Sequence, residues 1–280
     1  MKNSMGKTIL RGVILAAIII AAVSIIMKLY KTPEEKRIEA EVEAGVQFLE
    51  TQEQVDPADV QNAIQQIAIE KEQAAQAAAE EERLAKYNEQ LAALQDGTID
   101  VWSQFQDFAI LGDSRGEGFR IFEFLPPERV LAVKGESING LMGHLEETKA
   151  LNPRNIYVTY GMNDIESNIG GGAEGWAQAY TEILLAYQAE LPNARFFVSS
   201  ILPVVEPAWS DQPQFQAVPE WNAALRAACE ANGFYYVDHD ATSAAHADLW
   251  EVDGIHMKST FYPYWADDMI MATWQADANL

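Results

Sequence analysis

Apolar and polar positions change their spacing along this 280-residue chain, and the changes divide it into three stretches. Gly12 to Met27 is uncharged and almost wholly apolar. Extended to Thr8 and Tyr30, with Arg11 and Lys28 snorkelling to the interfaces, the run reaches 23 residues, and about 20 span a bilayer. A small-x-small cleavage site is missing after it, where Ile25-Ile26-Met27-Lys28-Leu29-Tyr30 stands. The pattern over 1–31 therefore predicts a cytoplasmic start and a single uncleaved membrane anchor rather than a removed signal peptide.

Residues 32–99 predict a helical stalk. Thr32-Pro33-Glu34-Glu35 combines an N-cap, a proline at the first helical position and a capping-box glutamate, and Asp56-Pro57-Ala58-Asp59 repeats the device. One helix is thus expected from 33 to near Val55, and another from Pro57 to about Gln95 with Gly97 as its stop. Val60, Ile64 and Ile67 keep a four-three spacing, as do Leu84, Tyr87, Leu91 and Leu94, but alanine and charge interrupt the seam between them. The bland reading is a spacer, roughly 58 Å long for 39 helical residues at 1.5 Å each. The sharper one is self-association through the seam as a coiled coil.

From residue 100 to 280 short apolar runs alternate with amphipathic stretches. Strands are expected at Phe108–Leu111, Val130–Val133, Ile156–Tyr160, Phe196–Ile201 and Tyr235–Val237, and helices near Asn139–Ala150, Glu174–Glu190, Pro219–Ala231 and Ser259–Gln275. Such alternation predicts an α/β domain with a parallel sheet and helices on both faces. Sites in sheets of this kind form beyond the carboxyl ends of the strands.

Charge and cysteine narrow the classes. The first 31 residues carry five basic and no acidic side chains, leaving 14 basic against 42 acidic in the remainder. So acidic a body excludes a phosphate-backbone partner, and no nucleic-acid binding is expected. Cys229 is the only cysteine, so neither an intrachain disulfide nor a zinc ribbon can form, and no metal or cofactor is expected. Basic residues flank the anchor almost evenly, so the positive-inside count does not orient it.

Three segments carry chemistry: Gly112-Asp113-Ser114, Gly161-Met162-Asn163-Asp164, and Asp253-Gly254-Ile255-His256. A serine hydroxyl needs a neighbouring base, and a histidine serves as one when a carboxylate fixes its tautomer. Asp253, three residues before His256, is spaced to do that. An amide such as that of Asn163 can stabilise a developing oxyanion. Asp113 and Asp164 read as local turn residues, and His144, His239 and His246 as histidines without motif partners. Glu117 and Glu136 lie close in sequence with no assigned role.

With these residues the chain resembles the SGNH, or GDSL, hydrolases over about 105–275. The resemblance implies a three-layer α/β/α sandwich around a five-stranded parallel sheet, flavodoxin-like in topology. It also implies Ser114 as nucleophile, with Gly118 completing Gly-Asp-Ser-x-x-x-Gly, and Asp253 and His256 as the remaining catalytic pair. The implied oxyanion hole comprises the Ser114 N–H, Asn163 and a second-block glycine, for which Gly140 matches best and Gly135 is the fallback. Arg115 departs from the pattern, since leucine is frequent there, and so does Met257, where proline is common.

Gly112-x-Ser114-x-Gly116 also spells the nucleophile elbow of α/β-hydrolases. In that fold the serine follows several strands, whereas here it follows the first. The expected activity is a membrane-anchored serine esterase acting on small acyl esters, with O-acetyl groups on cell-wall glycans inferred from an extracytoplasmic position alone. An O-acyltransferase would use the same residues, and a non-catalytic, tethered glycan- or partner-binding protein is the reading from another class.

Overall fold

The computed structural model describes residues 15–26, 31–53 and 56–278. These fall into two compact units that divide between Glu80 and Glu81.

In the first unit, residues 15–26 form a helix, α1, followed by α2 (Pro33–Glu53) and the start of α3 (Pro57–Gln95). The capping box that opens α2 is reciprocal: the Thr32 N–H donates to Glu35 Oε2 at 2.8 Å and the Glu35 N–H to Thr32 Oγ1 at 3.2 Å. At α3 the Asp56 carboxylate accepts from the Ala58 N–H at 2.8 Å. Ile38, Val42, Val60, Ile64 and Ile67 lie exposed along these helices. Among the described residues no helix is long and apolar enough to cross a membrane. The expected anchor, Gly12 to Met27, runs beyond the described residues at both ends.

The second unit is an α/β body built on one parallel sheet in the order β2-β1-β3-β4-β5. The strands are β1 (Phe108–Gly112), β2 (Val130–Ala132), β3 (Asn155–Thr159), β4 (Arg195–Ser199) and β5 (Tyr235–Val237). Between and after them come α4 (Ser114–Ile121), α5 (Leu145–Leu151), α6 (Met162–Glu166), α7 (Ala173–Glu190), α8 (Ala208–Asp211), α9 (Val218–Asn232), α10 (Asp240–Ala245) and α11 (Tyr262–Ala278).

Alternate side chains of each strand feed two separate cores, as a sheet buried on both faces requires. Leu111, Ile156, Val158, Phe196 and Val198 pack with Trp176, Tyr180 and Leu184 of α7 and Leu225 of α9. Phe108, Ile110, Tyr157 and Phe197 pack with Phe119 of α4 and Trp265, Met269 and Ile270 of α11. Leu94, Leu91 and Tyr87 at the end of α3 join this second core. Three of the four residues in the later stalk seam thus face the body, and the compact unit begins at Glu81, upstream of residue 100.

Register decides where the site forms. Gly112 pairs with Ala132 on one side and Thr159 on the other. Strands β2, β1 and β3 therefore end level, and the segments that leave them emerge at one edge.

Candidate active site

At that edge the chain turns from β1 straight into α4. The Asp113 carboxylate caps the helix by accepting from the Arg115 N–H at 2.9 Å, which makes Ser114 the first helical residue. Opening N–H groups of a helix have no carbonyl one turn back, so the Ser114 N–H has no acceptor within α4. Gly118, one turn on, leaves room for the Tyr262 hydroxyl, which a Cβ would overlap. That hydroxyl donates to the Arg115 carbonyl at 2.8 Å and ties α4 to α11.

His256 is carried on a small hairpin, closed by an antiparallel bridge between Trp250 and Met257. Its Nε2 lies 3.0 Å from Ser114 Oγ, across 142 residues of sequence. Its Nδ1 lies 2.7 Å from Asp253 Oδ2. The other Asp253 oxygen accepts the N–H groups of Ile255 at 2.8 Å and His256 at 2.9 Å. Partial burial pushes the Asp253 pKa up, but those three hydrogen bonds outweigh it and hold the carboxyl below its usual value. Gly254 makes the turn possible: its φ is +68°, and a Cβ there would strike the Val205 carbonyl.

Asn163 lies in α6, just past β3. Its Nδ2 donates one hydrogen to the Glu136 carbonyl at 2.9 Å, which orients the amide and leaves its second N–H. Beneath it the Asp164 carboxylate is fully buried, accepting from Trp176 Nε1 at 2.9 Å and the Ile138 N–H at 3.1 Å. Burial raises Asp164 to about 6, and it raises Asp113 to about 6 as well. Asp164 thus pins the segment after β2 to the turn after β3.

The second-block glycines lie in the segment after β2. Residues 138–144 form a 3-10 helix, and the Gly140 N–H donates to the Ser137 carbonyl at 2.9 Å. That N–H therefore already has a local acceptor. Gly135 occupies the preceding turn at φ +81°.

Sequence reasoning gave Glu136 no role, yet it joins three segments. Besides its carbonyl bond to Asn163, its carboxylate accepts from the Tyr160 hydroxyl at 2.7 Å and meets His144 Nε2 at 2.8 Å. The nearby polar residues gave no periodic signal that would have marked this cluster. Among the described residues no group of His, Cys, Asp and Glu is disposed to hold a metal ion.

The GDSL-like lipase/acylhydrolase family model matches residues 110–262, more than half of the chain, from within β1 to the start of α11. The chain belongs to this family. It is accordingly a carboxylic ester hydrolase, with the α/β fold of GDSL enzymes. Similar solved structures include a GDSL-like lipase from Bacteroides thetaiotaomicron, 17% identical over 60% of this chain and 88% of that one, with a TM-score of 0.48. A carbohydrate esterase of family 3 from Talaromyces cellulolyticus is 18% identical over 62% and 98%, with a TM-score of 0.47. No curated protein matches the chain.

This GDSL-family body contains a second serine, histidine and aspartate in relay. His239 Nδ1 lies 2.8 Å from Asp268 Oδ2 and Nε2 lies 3.0 Å from Ser199 Oγ. Both Ser199 and His239 are buried. Trp265 Nε1, which can only donate, bonds to the same His239 Nε2 at 3.1 Å.

Proposed function

We propose that the chain is a serine esterase that removes short acyl groups through an acyl-enzyme on Ser114. The carrying observation is the relay from Ser114 Oγ to His256 Nε2 at 3.0 Å and from His256 Nδ1 to Asp253 at 2.7 Å. Because the ionised Asp253 can only accept, Nδ1 carries the proton and Nε2 keeps a lone pair toward Ser114. His256 takes the hydroxyl proton as Oγ attacks the ester carbonyl, then passes it to the departing alcohol oxygen. Water, deprotonated by the same nitrogen, attacks the acyl-enzyme and regenerates Ser114. The Ser114 N–H and the second Asn163 amide hydrogen stabilise the tetrahedral oxyanion in both halves.

Two further features belong to this reading. The apolar run from Gly12 to Met27 anchors the chain as a single span, with the body outside the membrane. In that position O-acetyl groups on cell-wall glycans are the natural substrate class. The seam residues Val60, Ile64 and Ile67, exposed on α3, supply the stalk's surface for pairing with a second copy.

The test compares the purified chain with Ser114→Ala on aryl acetate, butyrate and octanoate. Wild type should cleave the acetate best and the variant should show no turnover above buffer while melting normally. Equal rates from both proteins would sink the reading. Protease added to intact cells should digest the body, and full protection would reverse the topology.

A further inference from the structure

We propose that Arg115 is a positioning residue whose guanidinium locks the His256 hairpin and the loop after β4 onto the nucleophile's own helix. This rests on the reading of Ser114 and His256 as nucleophile and base. Arg115 Nε donates to the Ile255 carbonyl at 3.0 Å, Nη1 to the Leu202 carbonyl at 2.5 Å, and Nη2 to the Pro203 carbonyl at 3.3 Å. Ile255 directly precedes His256, so the first bond fixes the peptide from which the imidazole hangs. Leu202 and Pro203 lead into the loop that braces the hairpin from its far side. There the Val205 N–H donates to the Gly254 carbonyl at 2.9 Å, and Trp250 Nε1 to the Pro203 carbonyl at 3.1 Å.

Arg115 differs from these other braces in one respect. It is covalently adjacent to Ser114, and its own carbonyl is held by Tyr262 at 2.8 Å. The two reacting groups stand 142 residues apart, yet they share this single anchor, so a shift of α4 carries the base along with the nucleophile. A leucine, frequent at this position in the family the chain resembles, fills volume and donates nothing.

The side chain is 4% exposed. Burying a guanidinium is costly unless its donors are matched, and here three carbonyls and the neighbouring Asp113 charge provide the match. Burial draws the Arg115 pKa down to about 10, with Asp113 opposing, so the group stays cationic at neutral pH. A buried cation whose three side-chain hydrogen bonds all reach the two site loops serves their geometry more directly than it serves the core.

The test uses the full chain carrying Arg115→Met, which keeps bulk without donors, and Arg115→Lys, which keeps charge and fewer donors. Per mole of folded protein, kcat for aryl acetate should fall about 10–100-fold, the scale of a small misplacement of reacting groups. KM should stay within about twofold, and the His256-controlled limb of the pH–rate profile should move. Arg115→Lys should recover part of the loss. The His256 Nδ1 proton resonance, which reads the ring's hold independently of turnover, should broaden or shift in both variants. Should Arg115→Met not fold, Arg115→Lys decides. A folded variant with wild-type kcat, pH profile and His256 resonance overturns the proposal, even if its melting temperature drops. Absence of turnover in the wild-type chain would count against the esterase reading instead, and the resonance would still decide the role of Arg115.

Discussion

Replacing Asp253 by asparagine changes one atom and should nearly silence the enzyme. In the wild type, one carboxylate oxygen accepts two backbone N–H groups and the other faces His256 Nδ1. Asparagine has a single acceptor oxygen. If that oxygen stays on the two N–H groups, the NH2 faces Nδ1, which must then accept. Nε2 then carries the proton toward Ser114 and cannot act as a base. Flipping the amide restores the working tautomer but gives up two backbone hydrogen bonds, each worth about 1 kcal/mol net. The NH2 would also be set against two donors. The working arrangement is therefore disfavoured by about 2–3 kcal/mol, a factor of roughly 30–200. Loss of the negative charge beside the imidazolium removes about 1–2 kcal/mol more, taken low because both side chains are partly exposed. Together these predict a drop in kcat of roughly 10²–10⁴-fold with KM little changed. Initial rates on aryl acetate at neutral pH, beside circular dichroism to confirm folding, measure it. A folded Asp253→Asn retaining more than a tenth of wild-type kcat would refute the tautomer argument.

Asn163→Ala should lower kcat about 10²–10³-fold, since one preorganised oxyanion donor is worth about 3–4 kcal/mol, and a loss confined to KM would remove Asn163 from that role. Ser199→Ala, in the buried second relay, should leave kcat within about twofold while lowering the melting temperature, and abolished turnover would contradict its structural role. Asp164 is raised from 3.8 to about 6, so on raising the pH from about 4 to 6 the unfolded chain ionises first and stability declines. That group accounts for about 3 kcal/mol of the decline, at 1.36 kcal/mol per unit. Asp164→Asn, which cannot ionise, should flatten it by that amount in urea unfolding at stepped pH, and an unchanged slope would mean that Asp164 ionises normally in the folded body.

The strands were legible because a sheet buried on both faces must be written as short apolar runs, and all five were located within two residues of their observed ends. The helix expected over Asn139–Ala150 divides into a 3-10 helix and α5 because Gly140 and Gly143 weaken the α conformation. Helix α4 escaped notice since its eight residues hold two glycines, although Asp113 before Ser-Arg-Gly-Glu is a capping signal. In the stalk, seam spacing alone could not tell a partner helix from the chain's own body, and Tyr87, Leu91 and Leu94 chose the body. Ser114, Asn163 and the Asp253–His256 pair were legible because each sits in a short local motif. Arg115 and Glu136 act through bonds to carbonyls and hydroxyls remote in sequence, which no spacing encodes.

The two serine–histidine–aspartate relays show what a sequence of distances leaves out. Ser199, His239 and Asp268 reproduce the separations of Ser114, His256 and Asp253 to within about 0.1 Å. A base, however, must be able to become a cation. His256 is 40% exposed along its side chain, so water and the partly exposed Asp253 can accommodate the imidazolium. His239 is fully buried and its Nε2 already accepts from Trp265. Protonating that nitrogen would leave the indole N–H facing another donor in a buried site, at about 1–3 kcal/mol for the orphaned group alone. The charge itself would have to be desolvated as well. The buried relay, its Nε2 already taken by the Trp265 N–H, ties β4, the segment after β5 and α11 together. The exposed relay, standing at the edge where the strands end level, keeps its lone pair for chemistry.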